Sequence, residues 1–501
     1  MTGRLRTRWP LSCAAAAAMV ASLFAATPAT AVPVDAANVS LAASPRVRVS
    51  ADAGPPGTRL TIVGRGFRAH KTIDVYFDTT DLAVAVSNAE GRFHGIGLTV
   101  PPSALPGAHW ISAVERDNKD GAQASFTIRT DWPQFRRNST HTGANSTENV
   151  LSPATAPGLG EKWSFTTGRD VFSSPAVANG VVYVGSYDGN LYALDTATGD
   201  ERWASPLGAE VYDSPAVVRG VVYASNDNGL VFALDAATGA RIWTFTAGGQ
   251  TFSSPTVVNG VVYVGSNDHN LYALDAATGS NLWSFAAGDE IESSPAVSNG
   301  VVYVTTLGDK VYALDAVTGA LRWSFTMTGR ASASPVIADG LVYVATLNGT
   351  VYALSASRLI KIWSFTTGSA VYSSPAVANN VLYVASNDGT IRARNASSGA
   401  ALWSATTSRT LESSPAVANG VLYIGAGAQR MQALNAATGA KLWAFTGGED
   451  FLSSPTVTDG VVYVGCMDHN VYAFGLAGAQ NGVARPIAST LRPDLSLRPA
   501  V

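Results

Sequence analysis

An all-β chain built from repeated four-stranded antiparallel sheets is predicted by three periodic features. Ser-Pro pairs recur with proline at Pro175, Pro215, Pro255, Pro295, Pro335, Pro375, Pro415 and Pro455, always 40 residues apart. Tryptophan keeps that spacing through Trp163, Trp203, Trp243, Trp283, Trp323, Trp363, Trp403 and Trp443, as do eight tyrosines from Tyr183 to Tyr463. Each interval also holds four short strand signals divided by turn dipeptides. Repetition at this period in a 501-residue chain points to an array of like units that bury their faces against one another.

Within one unit, Ser174 to Ala178 reads as a short strand and Asn179-Gly180 as a type I′ hairpin turn. Val181 to Gly185 follows as a continuous apolar strand, the next turn is Asp188-Gly189, and Leu191 to Asp195 alternates as a third strand. Thr198-Gly199 turns the chain into a fourth strand beginning at Arg202-Trp203. Proline cannot donate to a ladder, so the Ser-Pro strand lies at a sheet edge, and its small residues suit a crowded central axis. The Trp strand is then the outer edge, and the apolar Val-Val-Tyr-Val strand sits between neighbouring sheets. Trp163 precedes the first Ser-Pro strand, whereas the last unit ends at Tyr472-Ala473-Phe474 without a tryptophan. The upstream strand therefore completes the last sheet and closes the array, giving an eight-bladed β-propeller over 163–475.

Composition limits the setting. Charged residues make up 14% of the chain and the formal net charge is −3, which offers no basic footprint for nucleic acid. Arg4, Arg6 and Arg8, the Ala-rich run from Leu11 to Ala26 and Ala29-Thr30-Ala31 read as an export signal over 1–31, cleaved after Ala31. The run is shorter than the ~20 apolar residues of a spanning helix, so no membrane span is expected. Cys13 leaves with the signal and Cys466 remains, so packing alone holds a secreted, soluble monomer together. Residues 45–129 carry strand-like runs divided by Gly and Pro, which suggests a small β-sandwich. Residues 131–162 read as a Ser/Thr/Asn-rich connector and 476–501 as a flexible tail.

Two resemblances extend this reading. The stretch Gly57 to Phe67, GTRLTIVGRGF, resembles the opening of bacterial immunoglobulin-like modules and implies that the small sandwich is immunoglobulin-like. Ala193-Leu194-Asp195-Thr196-Ala197-Thr198-Gly199-Asp200-Glu201-Arg202-Trp203 resembles the tryptophan-docking motif of the pyrroloquinoline quinone (PQQ) repeat family, Ala-x-Asp-x-x-Thr-Gly-x-x-x-Trp. The motif recurs at Ala233–Trp243, Ala273–Trp283 and Ala313–Trp323. It implies that the eight tryptophans are structural staples, each docked on a neighbouring blade. Ser355, Arg358 and Leu359 break one copy and Asn395 and Asn435 replace aspartate in two others, so weaker stapling is expected at those seams. The connector resembles the leading segment of such proteins through Asp131-Trp132-Pro133-Gln134-Phe135-Arg136 and Thr142-Gly143, which implies a strap across the ring.

Function is sought where the repeat varies. The turns between strands two and three, and between successive units, share one face, while the near-identical Asn-Gly and Thr-Gly turns share the other. Leading into the inner strand, one row reads Asp170, Glu210, Gln250, Glu290, Arg330, Ala370, Thr410, Asp450, and two residues on another reads Phe172, Tyr212, Phe252, Glu292, Ser332, Tyr372, Glu412, Leu452. These rows are candidates for a ligand funnel of carboxylates and aromatic faces, with drift on solvated loops as the alternative for each residue. Asp268-His269-Asn270 and Asp468-His469-Asn470 invite a metal reading but fit turns better, because they stand in different units. Resemblance to the propeller subunit of the outer-membrane β-barrel assembly machinery implies a non-catalytic scaffold for a protein or cell-envelope ligand, with no cofactor and no catalytic residues. Resemblance to quinoprotein dehydrogenases implies instead PQQ and Ca²⁺ in the funnel, acting on alcohols or sugars, with Glu292, Glu412 and Asp450 as metal ligands or base. Those enzymes carry an adjacent-cysteine disulfide and long insertions, and this chain has neither, which favours binding.

Overall fold

The computed structural model describes residues 44–407 and 411–478. The export signal, Thr410 of the first varied row and tail residues 479–501 lie outside them. Among the described residues no helix is long and apolar enough to cross a membrane, and the one helical element is the short 3₁₀ turn Ala156–Gly158.

The N-terminal part packs two sheets on one apolar core. Arg46–Val49, Arg59–Arg65 and Phe93–Thr99 form one sheet. Gly107–Glu115 lies inside the other, between Gly121–Ile128 and Thr72–Phe77. Leu60, Ile62, Ile73, Val75, Ile111 and Phe126 alternate inward from their strands and are buried between the two layers.

The repeat region is a β-propeller of four-stranded antiparallel sheets. In the first, Ala176–Ala178, Val181–Gly185, Asn190–Asp195 and Glu201–Pro206 pair in chain order, and Asn179 and Gly180 both have positive φ, as the predicted hairpin turn requires. Seven such sheets, and one that adds the short parallel strand Ala144–Asn145 at its inner edge, occur among the described residues and are numbered here one to eight in chain order. In sheet eight the outer strand is Leu159–Thr166, which precedes sheet one and pairs with Asn470–Leu476 from Leu159↔Leu476 to Thr166↔Asn470.

Three hydrogen-bond systems explain the invariant residues. First, the serine before each proline forms a closed belt. The Ser174 N–H donates to Ser214 Oγ at 3.0 Å, Ser214 to Ser254, and so on through Ser294, Ser334, Ser374, Ser414 and Ser454, whose N–H returns to Ser174 Oγ at 3.0 Å. Only a short side chain with an acceptor one bond beyond Cβ reaches its neighbour's amide at this crowded radius. Replacing Ser294 by alanine strands the buried Ser254 N–H. Chemical denaturation should show a loss of about 1–3 kcal/mol, and an unchanged midpoint would mean the belt contributes nothing.

Second, tyrosine and tryptophan of one sheet grip one carbonyl of the next. Ala236 O accepts from Tyr183 Oη and Trp203 Nε1, both at 3.1 Å, and the pattern repeats at Ala276, Ala316, Ala396 and Ala436. Trp163 and Tyr463 close the ring on Thr196 O, while Trp443 takes Leu159 O. The Asn395 and Asn435 seams thus keep their staples, contrary to expectation. Each asparagine Oδ1 still accepts the turn amides that aspartate accepts elsewhere, from Ser398 in one and from Ala437 and Thr438 in the other. The Leu359 seam differs. Leu359 takes the glycine position with φ 51°, and Trp323 Nε1 has no partner among the described residues.

Third, the connector straps the hairpin face of the ring, touching the inner strands in order. Val177 exchanges two backbone bonds with Trp132, and the N–H groups of Val217, Val257, Val297, Ile337, Val377 and Val417 donate to Pro133 O, Gln134 Oε1, Ser139 O, Thr140 O, Thr142 O and Gly143 O. Asn145 Nδ2 ends the series on Val457 O of sheet eight. Each free inner edge left by the proline strands is thereby paired.

Candidate functional site

The strap and the varied rows lie at opposite ends of the axis. At the strapped end, Arg136 is 2% exposed, and its guanidinium donates to Pro375 O and Pro415 O. Burial lowers its pKa to about 9. His141 is fully buried beside it, its Nε2 3.1 Å from Thr256 Oγ1, and desolvation followed by the Arg136 charge pushes its pKa down to about 3. These side chains fill the axis beneath the serine belt.

The open end holds a cavity of about 510 Å³ lined by Tyr212, Phe252, Glu292, Leu307, Arg330, Ser332, Leu347, Tyr372, Glu412 and Leu452. The rise from the outer turn into each inner strand places the second varied row here, because that residue sits just above the belt and turns inward. Phe172 joins through its neighbours, stacking on Tyr212 at 5.5 Å, and Tyr212 meets Phe252 edge-on at 5.5 Å. Leu307 and Leu347 come from the turn between strands two and three and stand in neither row.

The first row is mostly engaged around this cavity. Asp170 Oδ1 lies 3.2 Å from His469 Nε2, and Glu210 Oε1 lies 3.3 Å from Arg169. Asp450 Oδ1 accepts the Gln429 N–H at 2.6 Å. Arg330 alone lines the cavity, its Nε donating to Leu307 O at 2.7 Å. Glu290 stands close enough to Glu292 to raise that carboxyl. Desolvation is the main cause at both cavity glutamates, reinforced by Glu290 at Glu292 and by Asp450 at Glu412, while Arg330 counters it at Glu292. Burial, then the Glu412 and Glu292 charges, pushes the Tyr212 phenol up to about 12.

Two further groups on this face were outside the varied rows. Tyr187 packs on Phe172 at 4.5 Å, and Asp227 has a half-buried carboxyl raised to about 6 by desolvation and then by Glu210. Both stand in the turn between strands two and three, where a row read across the repeats would have found them. Beneath them Asp213 replaces the serine found at Ser173 and Ser253. It is 2% exposed, with Oδ2 accepting the Ser225 N–H and Oδ1 unpartnered.

The metal reading of the histidine turns gives way to a local one. Asp268 Oδ2 accepts from Gly248 N and Tyr272 Oη, Asp468 Oδ2 from Gly448 N and Tyr472 Oη, and His269 and His469 hold positive φ in those turns. Calcium needs several hard oxygens around one point. Among the described residues no three His, Cys, Asp or Glu side chains converge in that way, so Glu292, Glu412 and Asp450 do not make such a cage. Cys466 is buried, and burial pushes its thiol up to about 12.

The fold has counterparts among solved structures. The quinohaemoprotein alcohol dehydrogenase of Comamonas testosteroni superposes with a TM-score of 0.61 at 17% identity, covering 72% of this chain and 82% of that one. BamB from Moraxella catarrhalis gives 0.56 at 18% identity, covering 63% and 99%, and a europium-containing methanol dehydrogenase gives 0.62 at 15%, covering 69% and 98%. At such identities the likeness is one of fold. No curated protein sequence matches significantly. The sequence profile described as outer membrane protein assembly factor BamB, a PQQ-like repeat family, matches residues 152–229, 206–292, 267–414 and 387–483, and the chain belongs to that family.

Proposed function

We propose that the protein is an exported, non-catalytic binding module: an eight-bladed propeller over 163–475, preceded by an immunoglobulin-like sandwich over 45–129. It presents its axial cavity to a protein or cell-envelope ligand. The observation that carries this reading is the contrast within the ring. The belt, the clamps and the valine or isoleucine that meets the strap use the same residue types in nearly every sheet, while the side chains around the cavity differ from sheet to sheet. Packing asks for no such differences, whereas recognition of an asymmetric ligand does. The family's description as an assembly factor supports a macromolecular partner.

The second reading, a PQQ- and calcium-dependent dehydrogenase, is favoured by the likeness to the two dehydrogenase structures. Adding PQQ and Ca²⁺ to the purified full chain separates the two. The binding reading expects no rise in melting temperature and no dye reduction with alcohols or sugars, and a saturable rise with turnover overturns it. In a parallel pull-down, the protein should retain envelope protein from a detergent extract. The Tyr212→Ala/Phe252→Ala variant should lose at least ten-fold of that retention, and equal retention by the variant removes the cavity from the binding surface.

A further inference from the structure

The chemistry of the cavity narrows the ligand, on the premise that the cavity is the binding site. Glu292 and Glu412 reach it from sheets four and seven, and neither carboxylate has a hydrogen bond or an ion pair with any described residue. Arg330 influences Glu292 through space but spends its Nε on Leu307 O. A half-buried carboxylate, Glu292, and an exposed one, Glu412, therefore share this space with a single cation, Arg330, which leaves the lining net negative and attractive to a further cation. Around them stand the rings of Tyr212, Phe252 and Tyr372, whose faces attract cations.

Shape adds a second restriction. The strap and the buried Arg136 block the far end of the axis, so the cavity is a blind well entered from the varied face alone. A ligand group must enter end-on and stop there. Leucines on the wall suit a methylene stem. We infer that the axial well receives one basic side chain, lysine or arginine, projecting from a polypeptide partner, with Glu292 and Glu412 taking its charge and the aromatic rings flanking its stem.

Titration calorimetry of the full chain with capped tripeptides tests this, using lysine, arginine, norleucine or glutamate at the centre and glucosamine as a sugar control. The lysine and arginine peptides should bind saturably, at least ten-fold more tightly than norleucine, and the glutamate peptide should not bind. Glu292→Gln/Glu412→Gln should weaken the lysine peptide at least ten-fold without lowering the melting temperature. Affinity should also fall as the solution is acidified, because both carboxyls, raised by desolvation and then by Glu290 and Asp450, lose their charge at a higher pH than ordinary carboxylates. Norleucine binding equal to lysine, tighter binding of glucosamine, indifference to the double substitution, or no peptide binding up to about 10 mM (a free energy of only about 3 kcal/mol) each overturns the inference. The envelope pull-down with Tyr212→Ala/Phe252→Ala is read separately. Loss of retention there with failure of the peptides keeps the cavity as the site and removes only the basic side chain.

Discussion

Replacing Trp163 by alanine will cost about 3–5 kcal/mol of folding stability, the range for a large aromatic removed from a packed site. Trp163 is 8% exposed and packs on Tyr463 at 5.8 Å, and its Nε1 donates to Thr196 O at 3.0 Å. Its ring lies flat over Gly199, where a Cβ would approach within 2.7 Å and φ is +77°. Truncation thus empties a cavity, removes one of the two donors to Thr196 O and loosens the seam between the last and first sheets. Trp323→Ala supplies the control. That indole lacks the carbonyl bond and meets Leu359 in place of glycine, so its loss should be smaller by about one hydrogen bond, roughly 0.5–1.5 kcal/mol. Urea unfolding of the two variants measures the difference, and equal losses would show that the indole–carbonyl bond is not what ties the seams.

Asp213→Ser will stabilise the protein at neutral pH by about 1–3 kcal/mol, the cost of a buried, incompletely satisfied polar group. Desolvation is the principal cause of the carboxyl's rise well above its ordinary range. A folded-state value above the unfolded one means that the native protein holds a proton the unfolded chain has released. The contribution is favourable at low pH and is lost as pH rises through the folded value. Asp227 and Asp459, both raised to about 6, act in the same direction and lose their contributions as pH climbs from about 4 to about 6, with Asp213 carrying the loss further and the depressed His141 opposing it. Serine at position 213 can accept the Ser225 N–H as Ser173 accepts that of Gly185, and it brings no charge. Melting temperatures of both proteins between about pH 5 and pH 8 should diverge with rising pH. Parallel curves would mean that Asp213 is accommodated ionised.

What the sequence made legible follows from the range of each interaction. Strands, turns and the order within a sheet depend on residues a few positions apart, and Asn179-Gly180 or Val181 to Gly185 announce them directly. The 40-residue period carried the relation between sheets, because each seam repeats the last. The strap was legible only as a resemblance, since residues 132–145 carry no period and each of their partners stands in a different sheet. The serine belt had a signal in the unbroken row from Ser174 to Ser454, but side-chain size alone does not reveal that each hydroxyl serves a neighbour's amide. In the cavity, Tyr212, Phe252, Glu292, Tyr372 and Glu412 came from one row. Leu307, Leu347, Tyr187 and Asp227 belong to a turn offset by about half a repeat, whose shared radius is a property of the coiled sheet and of no linear register.

The borrowed strand of sheet eight governs how such a chain matures. Leu159 and Leu476 must meet although they are synthesised more than three hundred residues apart. The entropy of closing so long a loop is met before any of the pairing is gained. Until translation reaches Leu476, the Leu159–Thr166 strand has no ladder partner and seven stacked sheets present an unsatisfied flank at either end. Joining these flanks must therefore wait for the last strand, and a chain stalled short of it offers an edge open to pairing between molecules.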